Sequence, residues 1–196
     1  EMLPEDAVGK IGIQVCRALE HAYEHGVIHR DISAKNIIVK EDGTVTAGNS
    51  SQISDGASLV MVTSEEFAEE HDLDIVAEIG TNEVVGVDPT VMGIGPVPAT
   101  KGLLERAGTD IEDYDLVELN EAFASQCVYA QEELGIDDDQ FNVNGGAIAI
   151  GHPLGASGGR LPVTLLHEME KRGDDRGLAT LCVGFGQGAA IEFLMD

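Results

Sequence analysis

Positive charge is scarce in this sequence. Lys and Arg number 11 against 36 Asp and Glu in 196 residues, a formal net charge of −25. Such a surface repels nucleic acid and anionic membranes, and it excludes functions built on binding either one. It suits a protein working in high salt, where screening removes most self-repulsion. The acids are scattered across apparent helices rather than blocked into a tail, which argues against an acidic binding module. Cysteine is also sparse. Cys16, Cys127 and Cys182 form an odd set without metal-ligand spacing. That excludes a disulfide framework and points to a reducing, cytoplasmic setting. No apolar run approaches the roughly 20 residues a membrane helix needs. No basic-then-apolar leader opens the chain, and the start at Glu1 rather than Met is that of a fragment or a processed chain.

What is present is 43% hydrophobic residues and 24 glycines, the composition of a glycine-rich α/β enzyme with one core, or one domain plus a piece of another. The charge shifts abruptly near Val45. Residues 1–45 hold eight acids and five bases, residues 46–196 hold 28 and six, and no Lys or Arg lies between Lys40 and Lys101. An apolar face on Val8, Ile11, Val15 and Leu19 predicts a helix stopped at Gly26. A strand is expected over Ile37–Lys40. Beyond Thr44, Ala57–Val62 reads as a buried strand or a helix-to-strand passage, Thr63-Ser64-Glu65-Glu66 as a capping box opening a short helix, and Asp74–Val87 as strand-like. Helices are expected over Pro98–Ala107, Glu121–Leu134 and Leu161–Lys171. Strands are expected over Leu116–Leu119, Leu178–Val183 and Ala189–Leu194. This alternation implies a layered α/β domain.

Three glycine-rich or junction motifs carry chemistry: Asn120-Glu121-Ala122-Phe123-Ala124, Gly151-His152-Pro153-Leu154-Gly155-Ala156-Ser157-Gly158 and Cys182-Val183-Gly184-Phe185-Gly186-Gln187-Gly188. All fall at expected strand ends, where α/β sheets place their sites. Thioester exchange and Claisen condensation need a thiolate, a proton acceptor and donors aimed at a developing oxyanion. His152 has the chemistry to deprotonate a thiol and then donate to an oxyanion. Cys182 is a thiol whose pKa falls if cationic or dipolar neighbours favour the thiolate. Asn120 can hold a water or a carbonyl. Glu121 reads as a first-turn acid favoured by the helix dipole. Cys127 and Cys16 read as small buried thiols on helices, and Asp137-Asp138-Asp139 as a solvated turn.

In that order and spacing the three motifs resemble the C-terminal signature of the thiolase family. Thr46-Ala47-Gly48-Asn49-Ser50-Ser51, Asp55-Gly56-Ala57 and Met92-Gly93-Ile94-Gly95-Pro96-Val97-Pro98-Ala99 support the likeness. The resemblance implies a thiolase-like layered α/β/α fold, with the end of the family's N-terminal domain over residues 44–72 and its C-terminal domain over 73–196. It implies an acetyl-CoA C-acyltransferase that uses acyl-CoA and coenzyme A as substrates, holds no covalent cofactor or metal, and belongs to lipid metabolism in a homo-oligomeric family. By the same resemblance His152 activates the nucleophile, Cys182 is the acid/base at the second substrate's α-carbon, Asn120 positions a catalytic water, and Gly184 serves the oxyanion through its backbone. Ser51, Met92 and Phe123 match residues near the pantetheine and acyl channel. Phe185 departs from the glycine common there. The family's nucleophilic cysteine belongs to a segment that is not in this sequence. The expectation is therefore no turnover by this chain alone, with a coenzyme A-binding module or a partner for a separate N-terminal half as the alternative.

Residues 1–43 resemble something else. His29-Arg30-Asp31-Ile32-Ser33-Ala34-Lys35-Asn36 is similar to the protein-kinase catalytic loop, in a helix-loop-strand setting. The resemblance implies Asp31 as base and Asn36 as a magnesium ligand. The Gly-rich loop, phosphate-holding Lys and metal-binding Asp-Phe-Gly of kinases are missing, so no phosphoryl transfer is expected. The two likenesses meet at Gly43-Thr44-Val45, the seam of a chimera.

Overall fold

The computed structural model describes residues 15–17, 19–21, 23–24 and 45–195. The chain divides into two units, Glu1–Val39 and Lys40–Asp196. The described residues of the first unit are helical, as their apolar spacing predicts. Cys16 is exposed rather than buried. Asp31, Asn36 and the strand expected over Ile37–Lys40 lie outside the described residues.

The second unit is built on a four-stranded sheet of β1 (Glu78–Gly86), β2 (Leu116–Leu119), β3 (Arg176–Val183) and β4 (Gln187–Leu194), in the order β1-β4-β3-β2. β2 runs parallel to β3, and β4 is antiparallel to both β3 and β1. Alternation along β2 sorts its side chains between two layers. Val117 and Leu119 join a core with Leu103 of α2 (Pro96–Ala107) and Cys127, Ala130 and Leu134 of α3 (Ala124–Leu134). Leu116 faces the other way, into a core with Leu161, Leu165 and Met169 of α5 (Ser157–Arg172). Helices thus cover both faces, the α/β/α layering expected from the sequence. Two shorter helices, α1 (Glu65–Glu70) and α4 (Ala147–Ile150), complete the unit. The helix opens where the capping signal expects one, but the cap is Ser64 rather than Thr63: its hydroxyl accepts from Phe67 N at the start of α1.

A buried carboxylate shapes the edge of the sheet. The β1–β4 register shifts between Ile79 and Asn82, and Glu192, 4% exposed, accepts from Thr81 N at 2.8 Å inside that bulge. The same carboxylate accepts from the Tyr114 hydroxyl at 3.1 Å and lies 3.4 Å from Arg176 Nε. Burial, aided by the Glu192 charge, pushes the Tyr114 phenol up to about 12.

The strand expected over Ala57–Val62 is not formed. The segment has no regular structure and lies open, with Leu59 91% and Met61 67% exposed. A strand needs a ladder partner and an apolar face needs a cover, and the described residues supply neither.

Candidate active site

β2 ends at Leu119, and the chain continues through Asn120, which is fully buried. Asn120 N donates to Thr180 O at 3.0 Å, extending the ladder with β3. Phe123 stays extended at the cap position of α3, which starts at Ala124 rather than at Glu121. Glu121 is therefore a loop residue, not a first-turn acid. Its carboxylate accepts from Asn142 Nδ2 at 3.1 Å and Ile148 N at 3.0 Å, fastening the loop that leads to His152.

The small-residue stretch after Thr46 forms a strap across both motifs. Ser51 N and Oγ donate to Ala122 O at 3.0 and 3.2 Å, and Ala124 N donates to Asn49 O at 2.8 Å. Further along, His152 N donates to Gln52 O at 2.8 Å, and Ser50 and Ile53 bridge to Phe123 and His152. Just before His152, Gly151 has φ +98. A Cβ there meets the Ser54 hydroxyl, so both conformation and space require glycine.

The half-buried His152 ring is held at both nitrogens. Nδ1 lies 2.6 Å from Ser157 Oγ, and Nε2 lies 3.4 Å from Asn120 Nδ2. Burial first, then the Arg160 charge, lower its pKa, which keeps the imidazole neutral at pH 7 with a lone pair available to a proton. Behind Asn120 stand two residues that the sequence reading missed. Arg160 Nη2 donates to Asn120 Oδ1 at 3.4 Å, and Arg160 Nη1 is 3.6 Å from a Glu118 carboxylate oxygen. Glu118 is 3% exposed. Burial pushes its carboxyl up to about 7, with Arg160 opposing and Glu121 adding to the rise. The available signal was a charge in the middle of the apolar strand Leu116-Val117-Glu118-Leu119, which demands a partner.

Cys182 stands apart from this network. It is 6% exposed near the end of β3, and alternation puts it on the face of Leu178 and Thr180, which α2 and α3 cover. Burial raises its pKa, so the lowered value its glycine turn suggested is not found. Cys127 is pushed up to about 12 by burial, then by the charges of Glu121 and Cys182. Among the described residues no hydrogen bond joins Cys182 to His152 or Asn120. Gly184 has open space where a Cβ would stand, and Phe185 is 94% exposed at φ +67. Met92 lies half-buried in a helical turn over Pro89–Ile94, its carbonyl accepting from Gly95 N. The described residues contain no His, Cys, Asp or Glu group suited to a metal and no helix long and apolar enough to cross a membrane.

The family model for the thiolase C-terminal domain matches residues 73–194. The chain belongs to the thiolase family. The model for the thiolase N-terminal domain matches residues 1–66. The chain is 44% identical over 191 residues to the mitochondrial 3-ketoacyl-CoA thiolase of Mus musculus, covering 97% of this chain and 48% of that protein. It is 55% identical over 152 residues to an acetyl-CoA acetyltransferase of Chromobacterium violaceum, covering 78% and 39%. Among solved structures, human mitochondrial 3-ketoacyl-CoA thiolase in complex with CoA matches with a TM-score of 0.73 and 42% identity over 81% of this chain and 40% of that one. The chain thus spans less than half the length of these relatives. The thiolase matches run through residues 1–43 and lend the kinase-like chimera no support.

Proposed function

We propose that this chain supplies part of an acyl-transfer site for coenzyme A thioesters. The carrying observation is the neutral His152 ring, with Nε2 beside the Asn120 amide. In this reading His152 takes the proton of a nucleophilic thiol, and in the cleavage direction the thiolate attacks the 3-keto carbonyl of a 3-ketoacyl-CoA; the bond between that carbonyl carbon and the α-carbon breaks, leaving an acyl-thioester on the nucleophile and an acetyl-CoA carbanion that takes up a proton. His152 then donates to the developing oxyanion, with Asn120 holding a water in the same hole. Cys182 is the proton carrier for the departing α-carbon. Burial keeps its thiol protonated, which is the form that protonates a carbanion in the cleavage direction. Gly184 offers its backbone N–H, and Ser51, Met92 and Phe123 line the path of pantetheine and acyl group.

None of the three cysteines here suits the nucleophile. Cys127 and Cys182 are buried with raised pKa values, and Cys16 has no motif around it. The chain alone is therefore expected not to turn over. Purified protein assayed with acetoacetyl-CoA should show no cleavage, and any cleavage that survives Cys182→Ala contradicts the assigned roles. We place the end of the family's N-terminal domain at residues 44–72 and its C-terminal domain at 73–196, in a cytoplasmic homo-oligomer. The kinase-like string at Asp31 and Asn36 supports no second activity, and magnesium-ATP is expected not to bind.

A second reading is a non-catalytic coenzyme A-binding module, or a partner for a separate N-terminal half. The open apolar run Leu59, Val60, Met61 and Val62 favours it, as does a cavity of 260 Å³ beside α5 lined by Val84, Leu161, Leu181 and Ile191. Calorimetry with coenzyme A in high salt tests the binding that both readings require: heat of binding supports them, and no heat counts against both.

A further inference from the structure

We propose that Arg160, held by Glu118, is the positioning residue that sets the direction of the hydrogen bonds of the His152 ring and thereby fixes Nε2 as its basic nitrogen. The inference rests on the reading of His152 and Asn120 as the reacting pair, and its argument is one of donors and acceptors.

Five groups stand in line: Arg160 Nη2 at 3.4 Å from Asn120 Oδ1, Asn120 Nδ2 at 3.4 Å from His152 Nε2, His152 Nδ1 at 2.6 Å from Ser157 Oγ, and Ser157 Oγ at 3.1 Å from Pro153 O. Three of them are ambiguous. A carboxamide turns end for end, a neutral imidazole carries its proton on either nitrogen, and a hydroxyl both donates and accepts. The Pro153 end does not remove the ambiguity. Its carbonyl already accepts from Ala156 N at 2.8 Å and Ser157 N at 2.9 Å, so the Ser157 hydroxyl is free to swing toward the ring instead.

Arg160 removes it. A guanidinium only donates, so Asn120 must present Oδ1 to Arg160 and Nδ2 to His152. Nε2 must then accept, the ring proton must sit on Nδ1, and Ser157 Oγ must accept from it. The result is an imidazole with its lone pair on the side of Asn120. Without Arg160, the carboxamide is free to turn, Nε2 carries the proton in the turned population, and in that population it no longer serves as a base.

Glu118 is what keeps the guanidinium there. It lies on β2 two residues before Asn120, and its carboxylate faces Arg160 from the sheet. Among the described residues Arg160 Nε and Nη1 have no hydrogen-bond acceptor. The 3.6 Å contact with Glu118, an ion pair once that carboxyl ionises above about pH 7, and the Asn120 contact are therefore the interactions that orient the guanidinium.

The test is nitrogen NMR of the neutral histidine ring in the full chain, with His152 assigned among the six histidines by loss of its signals in His152→Gln. The wild-type chain should show Nε2 at an acceptor-type shift and Nδ1 protonated, with one slowly exchanging pair of Asn120 amide protons. Arg160→Met should move Nε2 toward a population-averaged shift and merge or broaden the Asn120 pair. Arg160→Lys keeps the charge and a donor. Partial return of the wild-type pattern there separates donation to Asn120 from the mere presence of an arginine-sized filler. If Arg160→Met gives no dispersed spectrum, Glu118→Gln compared with wild type near pH 8, where Glu118 is ionised, serves in its place and should shift Nε2 in the same direction. Protonated Nε2 in the wild-type chain overturns the proposal, as do unchanged Nε2 and Asn120 signals in folded Arg160→Met or Glu118→Gln. The readout needs no turnover, so failure of the acyl-transfer reading leaves it intact and is recognised separately by the coenzyme A assays.

Discussion

Replacing Glu118 by Gln is expected to make the protein more stable at alkaline pH and no more stable in acid. Glu118 is 3% exposed on β2, and its carboxyl is raised from 4.5 to about 7, chiefly by burial. Below 4.5 the folded and unfolded chains both hold the proton, and the side chain imposes no charge penalty. Between 4.5 and about 7 the unfolded chain releases the proton while the folded chain keeps it, so folding loses free energy as pH rises. The loss is complete above about 7. At ~1.4 kcal/mol per pH unit the window is worth about 3 kcal/mol. Gln has nearly the same shape and never ionises. The difference between Glu118→Gln and wild type should therefore grow from near zero at about pH 4.5 to about 3 kcal/mol in favour of Gln near pH 8. The lowered pKa of His152 acts in the opposite sense, stabilising above its usual value and losing that contribution as pH falls. It is common to both proteins and cancels in the difference. The chain has no Trp, so urea unfolding is best followed by far-UV circular dichroism, at constant high salt. Parallel stability curves across that pH range, or a Gln variant weaker at pH 8, would refute the reasoning.

Three further outcomes follow from other parts of the molecule. Glu192→Ala removes the acceptor shared by Thr81 N, Tyr114 and Arg176 and should cost ~3–5 kcal/mol of unfolding free energy, as for breaking a buried pair on one side; a loss under about 1 kcal/mol contradicts its bulge-holding role. Gly188→Ala puts a methyl group onto the Gly95 carbonyl and should lower stability by ~1–3 kcal/mol, with β4 amides near residue 188 exchanging faster. The net charge of −25 predicts that the melting temperature rises between about 0.1 and 2 M KCl as screening shortens from about 10 Å to under 3 Å; a flat or falling curve removes the high-salt reading.

Much of the fold was legible because local signals and packing agreed. Leu116–Leu119, the helix stops at Gly108 and Gly135 and the two closing strands stand where the apolar pattern places them. Tertiary demands moved the rest. α3 begins three residues later than its composition suggests, because residues 120–123 stay outside the helix, with Phe123 extended, and bond the strap at 49–51. The segment Ala57–Val62 has a strand's composition but no partner among the described residues. At the site, the motifs located His152 and Asn120, which the structure brings together. Glu118 and Arg160 were hidden because 42 positions separate them, and only the fold of α5 onto β2 makes them neighbours. The state of Cys182 depends on how deeply the turn is buried, which a glycine-rich string does not encode.

The strap at residues 46–53 has a practical bearing on how members of this family can be recombined. It lies within the span matched by the N-terminal family model, yet it supplies the carbonyl that receives His152 N and the hydroxyl that meets Ala122 O. A graft that moves residues 73–194 alone carries His152 and Asn120 but leaves behind the backbone that seats them. A cut placed ahead of Thr46 transfers the seat with the side chains, so the useful crossover point is set by this strip of main chain and not by the border between the two family domains.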